Sequence, residues 1–394
     1  MALRRLLALV LLLAALAALP ARAQSLSVHL ALGNPSGATV DPAQLNNYLL
    51  LRDQYALGYA SDDGIPRWVS WRLLAADLGP VPRYSGNFFR DTSLPAGWYQ
   101  VSHGDYTNSG YDRGHMVSSE DRTARVADNE ATFILSNVLP QAPKNNRGPW
   151  LRLEELGRDL AEAGDEVYLV AGPEGELTRL AGGKLRVPAY TWKALLAVPP
   201  GPGDLISRVT TATRLVAIRI SNDKADPSML QSDPWQQYTT TADSVEAATG
   251  LDLFSALPAT VQRVLEARGD VGALPYTLSI SGTAALSTTV GSVFPAPLVV
   301  RVTGPGGEPV VGVTVTFAAL GSGANAVLAD DTVATATSDA NGVATLIPLA
   351  NATAGTYGLE ASLAGVFEPA SFTLENLPLV QGQQVRLHLP LLRR

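Results

Sequence analysis

The 394-residue chain predicts two units of different class: an α+β domain over residues 25–272 and an all-β sandwich over residues 279–377. Three observations carry this division. Composition changes near Pro275, because tryptophan, lysine and mixed helical and strand patterns precede it, while Gly, Ala, Thr and Val dominate after it and neither Lys nor Trp recurs. From Pro149 the pattern is helical, with Trp150, Leu153, Leu156 and Leu160 forming an apolar stripe at three- to four-residue spacing. Beyond residue 297 the pattern is strand-like, with alternation in Leu298-Val300-Val302, Val311-Val313-Val315-Phe317, Tyr357-Leu359-Ala361 and Phe372-Leu374.

Residues 1–23 read as a signal peptide. Arg4 and Arg5 precede an apolar run from Leu6 to Leu19, and Ala21-Arg22-Ala23 supplies a small-x-small cleavage site, so the expectation is export with cleavage after Ala23. A membrane anchor is the competing reading, but the run is short and the cleavage site follows directly. No other stretch is long and apolar enough to span a bilayer, so no membrane span is expected. Cysteine is absent, and the fold must rest on its cores even in an oxidising compartment.

The chemistry concentrates in Tyr111 to Met116, which reads Y-D-R-G-H-M, and in S-N-V-L-P-Q and N-N-R-G-P-W-L-R-L-E some thirty residues later. His115 is one of four histidines, with His29, His103 and His388, and an imidazole can take a proton from water near neutral pH. Gly114 lets the backbone approach another element or a ligand closely. Pro149 suits a first helical turn, which puts Asn146 at the helix entry, where its side-chain oxygen can cap the helix or bind a hard cation. Glu154 lies about two helical turns, or ~12 Å, further on, too far for both side chains to ligate one ion directly. Holding a metal-bound water suits it better, an arrangement magnesium tolerates because it dehydrates reluctantly.

These residues resemble the DNA/RNA non-specific endonuclease family of the ββα-metal superfamily, and the resemblance runs from about Leu30 to about Arg268. Its other pieces are G-N-P-S at Gly33–Ser36, N-Y-L-L-L-R-D-Q-Y-A-L-G-Y at Asn47–Tyr59, P-R-W-V-S-W at Pro66–Trp71, E-D-R-T at Glu120–Thr123, A-Y-T-W-K at Ala189–Lys193 and T-G-L-D-L-F at Thr249–Phe254. The resemblance implies a mixed sheet with a ββα-metal unit on one side, and hydrolysis of phosphodiester bonds in DNA and RNA. It implies His115 as general base, Asn146 as the direct protein ligand of Mg²⁺ (with Mn²⁺ as a substitute), and Glu154 as the residue that orients metal-bound water. Asn137 matches an active-site amide, and Asp112 and Arg113 fall on motif positions, with Arg113 near the scissile phosphate. The family's transition-state arginine precedes an aromatic residue; in R-Y-S-G-N-F-F-R-D, Arg83 is the favoured match and Arg90 lies beyond Phe88. Arg83, Arg122 and Arg147 are the expected nucleic-acid contacts.

Charge first opposes this reading. Net charge is −7, and removing Arg4, Arg5 and Arg22 with the leader takes it to −10. Between Arg83 and Arg152, however, eight basic residues face seven acids, a near-neutral window in an acidic protein. Phosphate contacts must then be focused in one cleft, with binding weak and salt-sensitive.

The run from Pro297 to Phe317, with S-D-A-N-G-V-A-T and G-T-Y-G-L-E-A, resembles bacterial immunoglobulin-like domains of invasin-type surface proteins. Such modules serve as spacers or adhesive stalks, which implies cell-surface or matrix contact and no catalytic residue. Gly306-Gly307 and Asn341-Gly342 suggest hairpin turns. Asp330-Asp331 reads as an exposed loop pair before a calcium contact. The tail, residues 378–394, holds His388 and reads either as a last strand or as a sorting tag. Two other functions compete with the nuclease: an extracellular adhesin carrying an inactive nuclease-like domain, and a phosphodiesterase for small nucleotides. Oligomeric state is not legible.

Overall fold

The computed structural model describes residues 27–270, 276–304 and 307–379. The leader, Gly306 and the tail with His388 lie outside the described residues. Within the first unit the strands are β1 (Tyr48–Leu51), β2 (Ala56–Ala60), β3 (Ile65–Leu73), β4 (Asp112–His115), β5 (Val138–Gln141), β6 (Glu166–Glu174), β7 (Thr178–Leu180), β8 (Leu185–Val187), β9 (Tyr190–Val198), β10 (Arg214–Ser221) and β11 (Thr239–Thr240). The helices are α1 (Val126–Ala131), α2 (Pro143–Asn146), α3 (Pro149–Glu162), α4 (Leu205–Arg208), α5 (Ala242–Thr249) and α6 (Ala259–Glu266).

Among the described residues, seven strands form the central sheet in the order β1-β2-β3-β6-β9-β10-β11. Every neighbouring pair is antiparallel, which corrects the mixed sheet expected from the sequence. Chain reversals explain it: β1 to β3 run as a meander, and the connection through α4 returns β10 antiparallel to β9, so the sheet contains no parallel crossover.

Alternation along the strands gives the sheet two apolar faces. Val69, Trp71, Leu169, Leu195, Val216 and Ile218 join one core, while Trp68, Tyr168, Val170, Trp192, Leu196 and Leu215 join the other. Side chains two apart share a face, so each strand feeds both cores. The first core is closed by α3 and by the ribbon of β4 and β5, with Trp150, Leu153, Val138 and Leu139 buried. Leu156 and Leu160 pack partly buried against it, as the helical stripe predicts. The second core is closed by α5 and α6 through Val245, Val261 and Leu265. β4, β5 and α3 thus form a ββα unit on one face of the sheet.

The C-terminal strands are β12 (Thr277–Ile280), β13 (Ala285–Thr289), β14 (Leu298–Thr303), β15 (Thr314–Ala319), β16 (Ala326–Val327), β17 (Val333–Thr337), β18 (Val343–Leu346), β19 (Leu349–Ala350), β20 (Gly355–Leu363) and β21 (Val366–Leu377). A three-stranded sheet, β12-β14-β18, and a five-stranded sheet, β13-β21-β20-β15-β17, enclose a third core of Leu298, Val300, Val302, Phe317, Leu359 and Phe372. Val311 is exposed and lies before β15, so that strand starts later than its alternation suggests. Asn341-Gly342 does not close a hairpin either, because it joins β17 in one sheet to β18 in the other. Gly342 has φ of +74°, which favours glycine.

The two units touch. Glu360 on β20 is buried and accepts hydrogen bonds from Thr211 N (3.0 Å) and Thr211 Oγ1 (2.8 Å). Arg263 of α6 donates to the Asp330 carbonyl (3.1 Å), and Leu320 packs against the second core. The contact therefore involves α6 and the second core and also the β9–β10 connection, where Glu368 and Pro369 share a cavity with Leu160 of α3.

Candidate active site

β4 carries the D-R-G-H segment, antiparallel to β5, with Asp112 opposite Gln141 and His115 opposite Val138. Gly114 is needed there, since a Cβ would collide with the Gln141 side chain. His115 is buried at 8% exposure, between the rings of Phe88 (5.0 Å between centroids) and Phe133 (4.8 Å, edge-on). Its Nε2 is buried without a hydrogen-bond partner. Burial first, and then the positive charge of Arg83, push its pKa down to about 3, so the ring is neutral and able to accept a proton. Arg83 donates to Ser119 Oγ and lies over Phe133, 4.9 Å from the ring centroid, on the aromatic ring that His115 also contacts. Arg90 instead donates to the Gln100 carbonyl (3.1 Å).

The other described histidines are engaged. His29 is buried, with Nε2 2.9 Å from the Asp53 carbonyl and Nδ1 accepting from Arg72 N (3.1 Å), and burial pulls its pKa to about 4. His103 Nδ1 accepts from Phe88 N (3.2 Å).

Asn146 ends α2, and its Nδ2 donates to Asp112 Oδ2 (2.9 Å). A carboxylate only accepts, so this bond assigns the amide nitrogen and leaves Oδ1, an oxygen suited to a hard cation, turned away from Asp112. Of the two roles open to Asn146, capping is excluded: Gly148 is the N-cap of α3 and no side chain caps that helix. α2 and α3 are separate helices joined by an elbow at Gly148, where a Cβ would collide with the carbonyls of Lys144 and Gln231. Arg147 completes a bidentate pair with Asp112 (2.8 and 2.6 Å), its side chain 59% exposed. Three residues, about 10 Å of extended chain, separate Asp112 from His115.

Asn137 is wholly buried and fully used: Oδ1 accepts from Val117 N (3.0 Å), and Nδ2 donates to the carbonyls of Val117 (3.0 Å) and Thr132 (2.9 Å). It fixes the chain just beyond His115 and offers no free group. Arg113 donates to the His103 carbonyl (2.6 Å) and lies over Tyr106, on the same face of β4 as His115. Arg122 corrects the expectation of a nucleic-acid contact. It is 3% exposed, and its guanidinium donates to the carbonyls of Asp121, Gln54 and Arg72 (2.7–2.8 Å), so it ties loops to β3 from inside.

Glu154 projects from α3 and is buried, with Oε1 accepting from Lys193 Nζ (3.0 Å). Lys193 is fully buried and lies 4.0 Å from the Trp150 ring centroid. Burial pushes the Glu154 carboxyl up and the Lys193 amine down, while their mutual attraction opposes both shifts. Beside them Asp121 accepts from Trp71 Nε1 (3.0 Å) and Arg158 (2.9 Å). Lys193 closes the A-Y-T-W-K piece and Phe88 lies in R-Y-S-G-N-F-F-R-D, but no motif gives either a role, and Phe133 lies in none. The signal for Lys193 is a lysine inside the apolar run Y-T-W-K-A-L-L-A-V, where only a buried partner makes it tolerable.

The sequence profile of the DNA/RNA non-specific endonuclease family matches residues 32–260. A nuclease of Nostoc sp. is 43% identical over 246 residues, covering 62% of this chain and 87% of that protein. A nuclease of Syncephalastrum racemosum is 32% identical, covering 60% and 76%, and the mitochondrial endonuclease G of Bos taurus is 29% identical, covering 56% and 75%. With the profile spanning more than half of its length and the ββα unit in place, this chain belongs to the DNA/RNA non-specific endonuclease family and is a metal-dependent phosphodiester-hydrolysing endonuclease.

Proposed function

We propose that the protein is a secreted, Mg²⁺-dependent endonuclease that hydrolyses both DNA and RNA, with His115 as the general base. A phosphodiester resists attack because it is already anionic, so hydrolysis needs a proton acceptor for water and neutralisation of charge at phosphorus. The observation that carries the reading is the buried His115 ring, held neutral beside Arg83 and with an unpaired nitrogen. Asn146 Oδ1 fits a hard cation because Asp112 fixes the amide nitrogen. When bound, Mg²⁺ supplies positive charge to phosphate oxygens. Arg83 adds charge beside His115, and Arg147 stands exposed next to Asn146 for a neighbouring phosphate. Asp112 and Asn137 act as positioning residues. Glu154, held on Lys193, is assigned to ordering water around the cation site.

The leader supports export after cleavage at Ala23. The strands from Thr277 to Leu377, two sheets around one core, support an immunoglobulin-like module acting as a spacer or as a contact to a cell surface or matrix. Purified mature protein is expected to degrade plasmid DNA and RNA in millimolar Mg²⁺ and to stop in EDTA. Intact plasmid in Mg²⁺ and Mn²⁺ at low salt would favour a binding protein instead. Turnover of bis-(p-nitrophenyl) phosphate alone would favour a small-nucleotide phosphodiesterase.

A further inference from the structure

On the sheet face opposite the candidate active site, α5 and α6 bring three carboxylates together. Asp243 and Glu246 lie three apart near the start of α5, hence on one face, and Glu266 is the last residue of α6. One carboxylate oxygen from each lies within 4.8 Å of the others. Glu266 is 4% exposed, yet its Oε1 has no hydrogen-bond partner. The charges acting on it are all negative, from Glu246, Asp243 and Asp252. Asp243 is exposed and Glu246 half-buried. Glu246 Oε1 is itself oriented by Leu253 N (2.7 Å).

A buried, unpartnered carboxylate oxygen among acids costs free energy unless a cation or a proton compensates it. A hard divalent cation suits the geometry. Ca²⁺ accepts oxygen ligands at about 2.3–2.6 Å, so ligands on opposite sides of it lie about 5 Å apart, and it fills its remaining places with water or carbonyls. Mg²⁺ demands a tighter octahedron, with opposite oxygens about 4 Å apart, and Zn²⁺ favours nitrogen and sulfur donors that this cluster lacks. We propose that Asp243, Glu246 and Glu266 form a structural Ca²⁺ site that clamps α5 to α6, separate from the catalytic cation at Asn146.

The test is thermal unfolding of full-length mature protein, stripped with EDTA and then given CaCl₂. In about 5 mM CaCl₂ the midpoint of the wild type is expected to rise by about 5 °C. Asn146→Ala should keep that rise, since its lesion is at the other cation site, whereas Glu266→Gln and the exposed Asp243→Asn should lose most of it. If Glu266→Gln fails to fold, Asp243→Asn decides. The site is refuted if CaCl₂ leaves the wild type unmoved, or if it raises the wild type and Asp243→Asn equally. It is also refuted if the rise disappears in Asn146→Ala.

Discussion

His115 is kept neutral by the apolar walls of Phe88 and Phe133 and by Arg83, which together favour the form that accepts a proton. Because its pKa falls from 6.5 to about 3, the base of the free enzyme stays deprotonated through mildly acid pH. The acid limb of kcat/KM, which reports the free enzyme, is therefore expected well below 6.5; a loss of kcat/KM centred at 6.5 would contradict the assignment. Lys193 acts at the same scale but on stability. Removing one partner of a buried ion pair leaves the other uncompensated, so Lys193→Met should cost about 3–5 kcal/mol in urea unfolding. Adding Glu154→Gln should recover part of that loss, because the buried carboxylate is then neutral. Equal stability of the single and double variants would show that the two side chains do not act as a pair.

At the scale of elements, the elbow between α2 and α3 decides where Asn146 points. Gly148 permits the turn because a Cβ would strike the Lys144 and Gln231 carbonyls. Gly148→Ala is expected to cost about 1–3 kcal/mol from overpacking, and to raise the Mg²⁺ concentration needed for half-maximal cleavage as Asn146 leaves Asp112. An unchanged Mg²⁺ requirement would mean that the elbow does not set the amide. Helix α3 was legible in the sequence because its stripe repeats at helical spacing and Pro149 opens it. The order of the sheet was not legible, since β3 and β6 pair across residues 74–165, which contain the whole ββα unit, and local pattern carries no pairing information over that span. Motif matching found His115, Asn146 and Asp112; Asn146 and Asp112 are hydrogen-bonded to each other, whereas His115 stands three residues further along β4 among Phe88, Phe133 and Arg83. It misread Arg122, because a buried arginine saturated by carbonyls and an exposed phosphate ligand look alike in a sequence.

Across the whole molecule, the central sheet separates two tasks. Its first face carries the ββα unit with His115 and Asn146, and its second face carries α5 and α6, with the C-terminal strands against α6 and the β9–β10 connection. Glu360 is the buried tie between the units, accepting two hydrogen bonds from Thr211. Glu360→Ala leaves those donors unpaired and should lower stability by about 1–3 kcal/mol, with kcat on plasmid DNA unchanged. A matching fall in kcat would show that docking of the C-terminal unit supports the catalytic face.

The central claim, a neutral imidazole working as base beside a cation held by Asn146, is tested most directly by plasmid cleavage with His115→Ala across a Mg²⁺ titration. The account predicts a fall of about 10²–10⁴-fold at every Mg²⁺ concentration, with an unchanged Mg²⁺ midpoint and a native circular dichroism spectrum. Near-normal cleavage by His115→Ala would contradict it.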